Sequence, residues 1–159
     1  MDLHNIRETY KFDSLLESKL EQDPIVQFTN WFESYSALGI KDSNAMAIAT
    51  VDEQGIPHNR IVLLKSVDQG KFIFFTNYGS KKGKDLSQNQ HISALFFWRE
   101  QERQVRVEGT VTKISEAKSA AYFATRPYLS KIGAAASDQS QPIANREALE
   151  EKFRSFQEL

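Results

Sequence analysis

The 159 residues include no cysteine, which excludes a disulfide framework, thiolate metal ligands and a cysteine nucleophile. With 20 basic and 21 acidic residues the formal charge is −1, so there is no overall pull toward nucleic acid or an anionic membrane, and any anion site must be local. A 40% hydrophobic content supports one globular domain over 1–159. The lack of an N-terminal apolar region, or of any run near the roughly 18 residues that cross a bilayer, points to a soluble cytoplasmic protein.

In chain order, Leu3 to about Leu20 reads as a polar helix. Asp23-Pro24 supplies an N-cap and first-turn proline for a second helix, which should bury Ile25, Phe28, Trp31 and Phe32 and stop near Gly39. Five strand-like runs follow between Ala45 and Ser115: AMAIATV, RIVLLKSV, KFIFFTN, ISALFFW and QVRVEGTVTKI. The turn signals DEQGIP, VDQGK and REQE are short, which implies antiparallel pairing and an antiparallel barrel or sandwich with flanking helices. One short helix interrupts the strands, with Ser80 as N-cap and Lys81 to about Gln88 as its body. After Ser115, EAKSAAYFATR reads as a helix halted by Pro127, then comes a Gly/Ala/Ser-rich stretch, and NREALEEKFRSFQEL reads as a final amphipathic helix.

Two places carry chemistry. The apolar run Phe72–Thr76 leads directly into Ser80, Lys81, Lys82 and Lys84. A helix N-terminus with a serine cap and two ammonium groups suits a terminal phosphate, whereas an isolated Ser-Lys-Lys also fits a solvated loop. Its company favours the first reading: Arg60 and Lys65 bracket four aliphatic residues on one strand, and Gln104, Arg106 and Glu108 alternate with Val105 and Val107 on another. Near a helix end, Tyr122 and Arg126 are four apart and Ser130 follows Pro127, a set suited to a second phosphate or carboxylate. The alternative is a core tyrosine and an arginine favoured by the helix dipole. His4, His58 and His91 show no triad or metal spacing and read as surface or strand residues.

The segments IRETY (6–10), RIVLLK (60–65), FFTNYGSKK (74–82), ERQVRVEG (102–109), YFATRP (122–127) and SDQSQ (137–141), in this order, resemble the pyridoxamine 5′-phosphate oxidase family of FMN-dependent enzymes. The resemblance implies an antiparallel FMN-binding split β-barrel that forms a homodimer with FMN at the interface. It also implies oxidation of pyridoxamine or pyridoxine 5′-phosphate to pyridoxal 5′-phosphate, with O2 as acceptor and H2O2 as product.

Position by position, it assigns flavin contacts to Arg60, Ile61, Val62, Leu63, Leu64 and Lys65, to Phe75 and Thr76, to Gln104, and to Gln139 and Ser140. Lys81 and Lys82 match the cations on the FMN phosphate. Tyr122, Arg126 and Ser130 match the substrate-phosphate clamp, with Lys65 at the edge of that site and Arg7 and Tyr10 on a segment closing over it. No acid–base catalyst and no metal is implied, because the redox chemistry is the flavin's.

The departures are Lys81 where arginine is common, Asp138 where lysine is usual and Ala135 where an aromatic is common. The family pattern also continues beyond the helix that reaches Leu159, with a tryptophan, an arginine and an Arg-x-His element. The expectation is therefore a truncated chain or a shortened relative. A non-catalytic flavin or pyridoxal phosphate binder, or a flavin-linked reductase on the same barrel, remains an alternative to the oxidase.

Overall fold

The computed structural model describes residues 1–158. Among these residues five α-helices and five strands follow in chain order: α1 (Pro24–Ser36), β1 (Ala45–Val51), β2 (Pro57–Asp68), β3 (Lys71–Phe74), α2 (Lys81–Gln88), β4 (His91–Trp98), β5 (Arg103–Thr110), α3 (Glu116–Thr125), α4 (Tyr128–Ala136) and α5 (Arg146–Gln157). The strands form one sheet in the order β3-β2-β1-β4-β5, and β2 pairs antiparallel with β3. The chain divides into two compact units, one of residues 1–48, 61–74 and 94–107, the other of residues 49–60, 75–93 and 108–159.

The first unit is built on aromatic packing. The Asp23 side chain accepts the Ile25 N–H and caps α1, whose first residue is proline, as the sequence suggests. Helix α1 buries Phe28 and Tyr35, while Ile25, Trp31 and Phe32 are half-buried. Phe28 meets Phe72 and Phe96 edge-on at 4.7 and 5.0 Å, and Trp98 packs against Tyr35 at 5.6 Å. The Tyr35 hydroxyl donates to Glu100 at 2.7 Å, and burial together with that carboxylate pushes the phenol up to about 12.

Residues 3–20 are not the expected helix. Apart from a single 3₁₀ turn at Glu17–Lys19 they are irregular, and Leu3, Ile6, Tyr10, Leu15, Leu16 and Leu20 are all exposed. With no apolar stripe to bury, helical spacing alone cannot hold a helix. The segment is tied down instead: the Glu102 carboxylate, on a left-handed residue with φ of 48°, accepts the N–H groups of Lys11 and Phe12 at 2.6 and 2.8 Å. Beside it, Arg103 stands over the Trp31 ring at 4.8 Å and pairs with Asp13 at 3.6 Å.

Strand boundaries shift as well. β2 begins at Pro57 rather than Arg60, β3 ends at Phe74 so that Phe75 and Thr76 lie beyond it, and β5 ends at Thr110. Between β2 and β3 the register runs Leu64↔Phe74 and then Ser66↔Ile73, so Lys65 is the extra residue of a bulge.

In the second unit the Gly/Ala/Ser-rich stretch contains α4, which packs on α5. Its alanines favour helix once Ile132 and Ala136 can be buried. The Tyr128 hydroxyl donates to the Gln157 carbonyl at 3.2 Å, and Lys152 of α5 pairs with Asp138 at 2.6 Å. Asp138 thereby anchors the turn that carries Gln139 and Ser140. None of the helices among the described residues is long and apolar enough to cross a membrane.

Candidate functional site

The second unit holds a cationic helix start. Ser80 caps α2 as its sequence predicts: its Oγ accepts from Gly83 N–H at 3.3 Å and donates to the Asn77 carbonyl at 2.6 Å. Gly83 is obligatory here, because a Cβ at that position would overlap the backbone carbonyl of Tyr78. Ser80 is fully buried, so the next turn of helix carries its charges into a partly enclosed place.

Lys81 and Lys82, adjacent and alike in sequence, are treated differently. The Lys81 side chain is 48% exposed and lies 3.4 Å from Asp52 and 3.6 Å from Asp85. Lys82 is only 8% exposed; its ammonium donates to Gln139 Oε1 at 2.8 Å and to Ser80 Oγ at 3.3 Å. Both acceptors are neutral, and among the described residues no carboxylate pairs with Lys82. Burial, and then the charge of Arg60, push its pKa down. A desolvated ammonium held by neutral oxygens beside a helix N-terminus fits a phosphoryl group, whose charge would offset the desolvation.

Around it lies a polar network that sequence reasoning did not single out. Asp52 accepts from Ile56 N–H at 2.9 Å and from Gln54 N–H at 3.1 Å, and lies 2.9 Å from His58 Nε2. The His58 bond first, then these backbone donors, with a lesser contribution from Lys81, hold its carboxyl well below the usual carboxylate range. Thr50 and Asp85 are buried, and Arg60 reaches both. One signal was available: Asp85 follows Lys81 by four residues, the spacing of a helical ion pair. An open cleft of about 290 Å³ adjoins the network, lined by Asp52, Lys81, Lys84, Asp85 and Ser140 among others. Ser140, at φ of 68°, thus lies at the cleft while its neighbour Gln139 binds Lys82.

A depressed carboxyl contributes stability above its unfolded value, near pH 4, and loses it as pH falls through the lower folded value. Asp52→Asn should therefore be less stable than the parent at pH 7. The gap should narrow below about pH 4, as read from urea midpoints between pH 7 and pH 3.

In the same unit the Phe75 and Tyr122 rings lie face to face, with centroids 3.6 Å apart and planes at 11°. A flavin position and a substrate position of the resemblance therefore touch. Thr76 is half-buried beside Phe75. Arg126 is not within the helix, as four-residue spacing from Tyr122 suggested. It is the C-cap of α3 in extended conformation, because the following proline disfavours a helical residue, and its guanidinium stands 5.7 Å from the Phe123 ring. Ser130 is half-buried in α4 and Ala135 is exposed.

In the first unit, Ile61 is exposed, Val62 and Leu63 are half-buried and Leu64 is buried. Lys65 is exposed at the bulge, and Gln104 is exposed on β5 in the expected alternation with half-buried Val105 and Val107. Tyr10 is exposed, and Arg7 Nε donates to the His4 carbonyl at 3.1 Å, on the segment tied by Glu102.

Comparison with known proteins places this geometry. Residues 33–159 match the family described as pyridoxamine 5′-phosphate oxidase. A relative from Paraburkholderia phymatum, named pyridoxine/pyridoxamine 5′-phosphate oxidase, is 49% identical over 154 residues, 97% of this chain and 73% of that protein. Among solved structures, PhzG from Burkholderia lata, in complex with tetrahydrophenazine-1-carboxylic acid, is similar at a TM-score of 0.84 and 25% identity, covering 91% of this chain and 72% of that one. A pyridoxamine 5′-phosphate oxidase-related, FMN-binding protein from Nostoc punctiforme is similar at a TM-score of 0.64 and 15% identity, over 82% of this chain and 73% of that one, and shows the shared fold. The fold is the antiparallel split β-barrel that the sequence leads one to expect. From the family match and the near-complete alignment with its curated relatives, the chain belongs to the pyridoxamine 5′-phosphate oxidase family of FMN-dependent oxidoreductases.

Proposed function

We propose that the chain binds FMN with its phosphate at the start of α2 and oxidises pyridoxamine or pyridoxine 5′-phosphate to pyridoxal 5′-phosphate, a step of vitamin B6 metabolism. The observation that carries this reading is Lys82, a buried ammonium whose partners, Gln139 and Ser80, are neutral. Lys81 and Lys82 hold the phosphate; Gln139, Ser140, Phe75, Thr76, Gln104 and the strand from Arg60 to Lys65 hold the rest of the flavin. When bound, FMN supplies a two-electron acceptor that O2 can restore, giving H2O2. With the amine substrate, water provides the aldehyde oxygen and ammonia departs.

The protein's own work is positional. Tyr122, Arg126 and Ser130, with Arg7 and Tyr10, take the substrate phosphate and fix the ring's approach, which is where most of the rate advantage of such a site originates. The protein acts as a cytoplasmic homodimer with the flavin at the interface, a reading supported by the exposed Ile61 and Phe97 on β2 and β4.

The test is an absorption spectrum of the purified protein, then addition of pyridoxamine 5′-phosphate under nitrogen. The expected result is a yellow protein whose flavin band bleaches and returns with air and peroxide. A colourless protein that takes up no FMN sinks the reading. The likeness to PhzG favours a second one, an oxidase of another ring compound; bound flavin that bleaches with a dihydroaromatic acid and not with the phosphorylated pyridine selects it. Bleaching by NADH alone selects a reductase, and no bleaching by any donor a binding protein.

A further inference from the structure

Beneath the cations of the anion site lies a buried layer with its own chemistry. Thr50 is 0% and Asp85 3% exposed. The Thr50 hydroxyl is 2.7 Å from Asp85 Oδ2 and 2.7 Å from Arg60 Nη1. A guanidinium cannot accept, so the hydroxyl's single proton goes to the carboxylate and its lone pair receives Arg60. Arg60 also donates to the His58 carbonyl at 2.9 Å, and its Nη2 stands 3.7 Å from the same Asp85 oxygen. The other Asp85 oxygen faces Lys81 at 3.6 Å. One inward-facing carboxylate therefore touches two of the three cations directly and reaches Arg60 a second time through a hydroxyl.

Cations gathered without a ligand repel one another and favour swinging into water. With Asp85 and Asp52 among Arg60, Lys81 and Lys82, three cations face two carboxylates, and one positive charge is left over. That surplus falls on Lys82, the one of the three whose partners are neutral side chains. We propose that Asp85, acting through Thr50, is a positioning residue that holds Arg60 and Lys81 in place before the cofactor arrives and leaves Lys82 as the cation that meets its phosphate. The inference rests on the reading that an FMN phosphate binds at α2.

The full chain is titrated with FMN and with riboflavin, which lacks the phosphate, by quenching of flavin fluorescence. The parent should prefer FMN strongly. Asp85→Asn and Thr50→Val should each lower the FMN-to-riboflavin affinity ratio at least tenfold while leaving riboflavin affinity unchanged, and Thr50→Ser, which keeps the hydroxyl, should retain the parental ratio. Unchanged ratios in Asp85→Asn and Thr50→Val overturn the inference, as does an equal loss of both flavins, which marks a general structural defect. If Asp85→Asn does not fold, the Thr50→Val and Thr50→Ser pair decides alone. A parent that does not distinguish the two flavins refutes the phosphate reading itself, and this inference with it.

Discussion

Lys82→Met should weaken FMN binding about 100-fold while leaving the ligand-free protein as stable as the parent or slightly more stable. The two effects have one cause. In the free protein the ammonium is desolvated against Gln139 and Ser80, neutral oxygens that offset only part of the cost of burying a charge. Methionine fills the same volume without that cost. With a phosphate present the balance reverses, because a charge-assisted bond in a buried place is worth about 3 kcal/mol, and 1.4 kcal/mol is a factor of ten. Fluorescence titration reads the first effect and thermal unfolding without flavin reads the second. A variant that loses stability in the free state but keeps FMN would show that the lysine is structural and the phosphate lies elsewhere.

Gly83→Ala should be the most damaging small substitution at the site. Alanine normally improves a helix by up to about 1 kcal/mol over glycine. Here the added Cβ would overlap the Tyr78 carbonyl, a backbone group that cannot swing aside as a side-chain tip can. The turn from Asn77 to Ser80 must then move, breaking the Ser80–Gly83 cap and displacing Lys82. A loss of about 2–4 kcal/mol is expected, together with FMN binding. Gly109→Ala is the control, since nothing lies within 4 Å of its added Cβ. Comparable denaturant midpoints for the two variants would show that the turn has more room than its geometry indicates.

What could be read from the sequence was whatever short-range chemistry controls. The caps at Asp23 and Ser80 are local hydrogen bonds, and both helices start where those residues place them. The alternation on β5 is a property of the strand itself and gave the exposed face of Gln104 and Arg106. What was hidden depends on partners distant along the chain. No local rule separates Lys81 from Lys82; burial against Gln139, 57 residues away, does. Thr50 looks like any β-branched strand residue until Asp85, 35 residues on, meets its hydroxyl. The misread N-terminal segment is the converse case. Its apolar residues have helical spacing but are exposed, and an irregular path is fixed by Glu102, about 90 residues later. Arg126 was placed on a helix by spacing and removed from it by Pro127.

The extra residue at Lys65 reaches further than its own position. Residues up to Leu64 and residues from Ser66 onward follow two different odd–even phases along one strand, joined by a single step. Exchanging the lysine for another side chain leaves both phases intact. Removing it merges them: Ser66 would follow Leu64 directly, as Ile73 precedes Phe74 on the partner strand, so every later residue of β2 would keep its face and its partner and only the local kink at 65 would be lost.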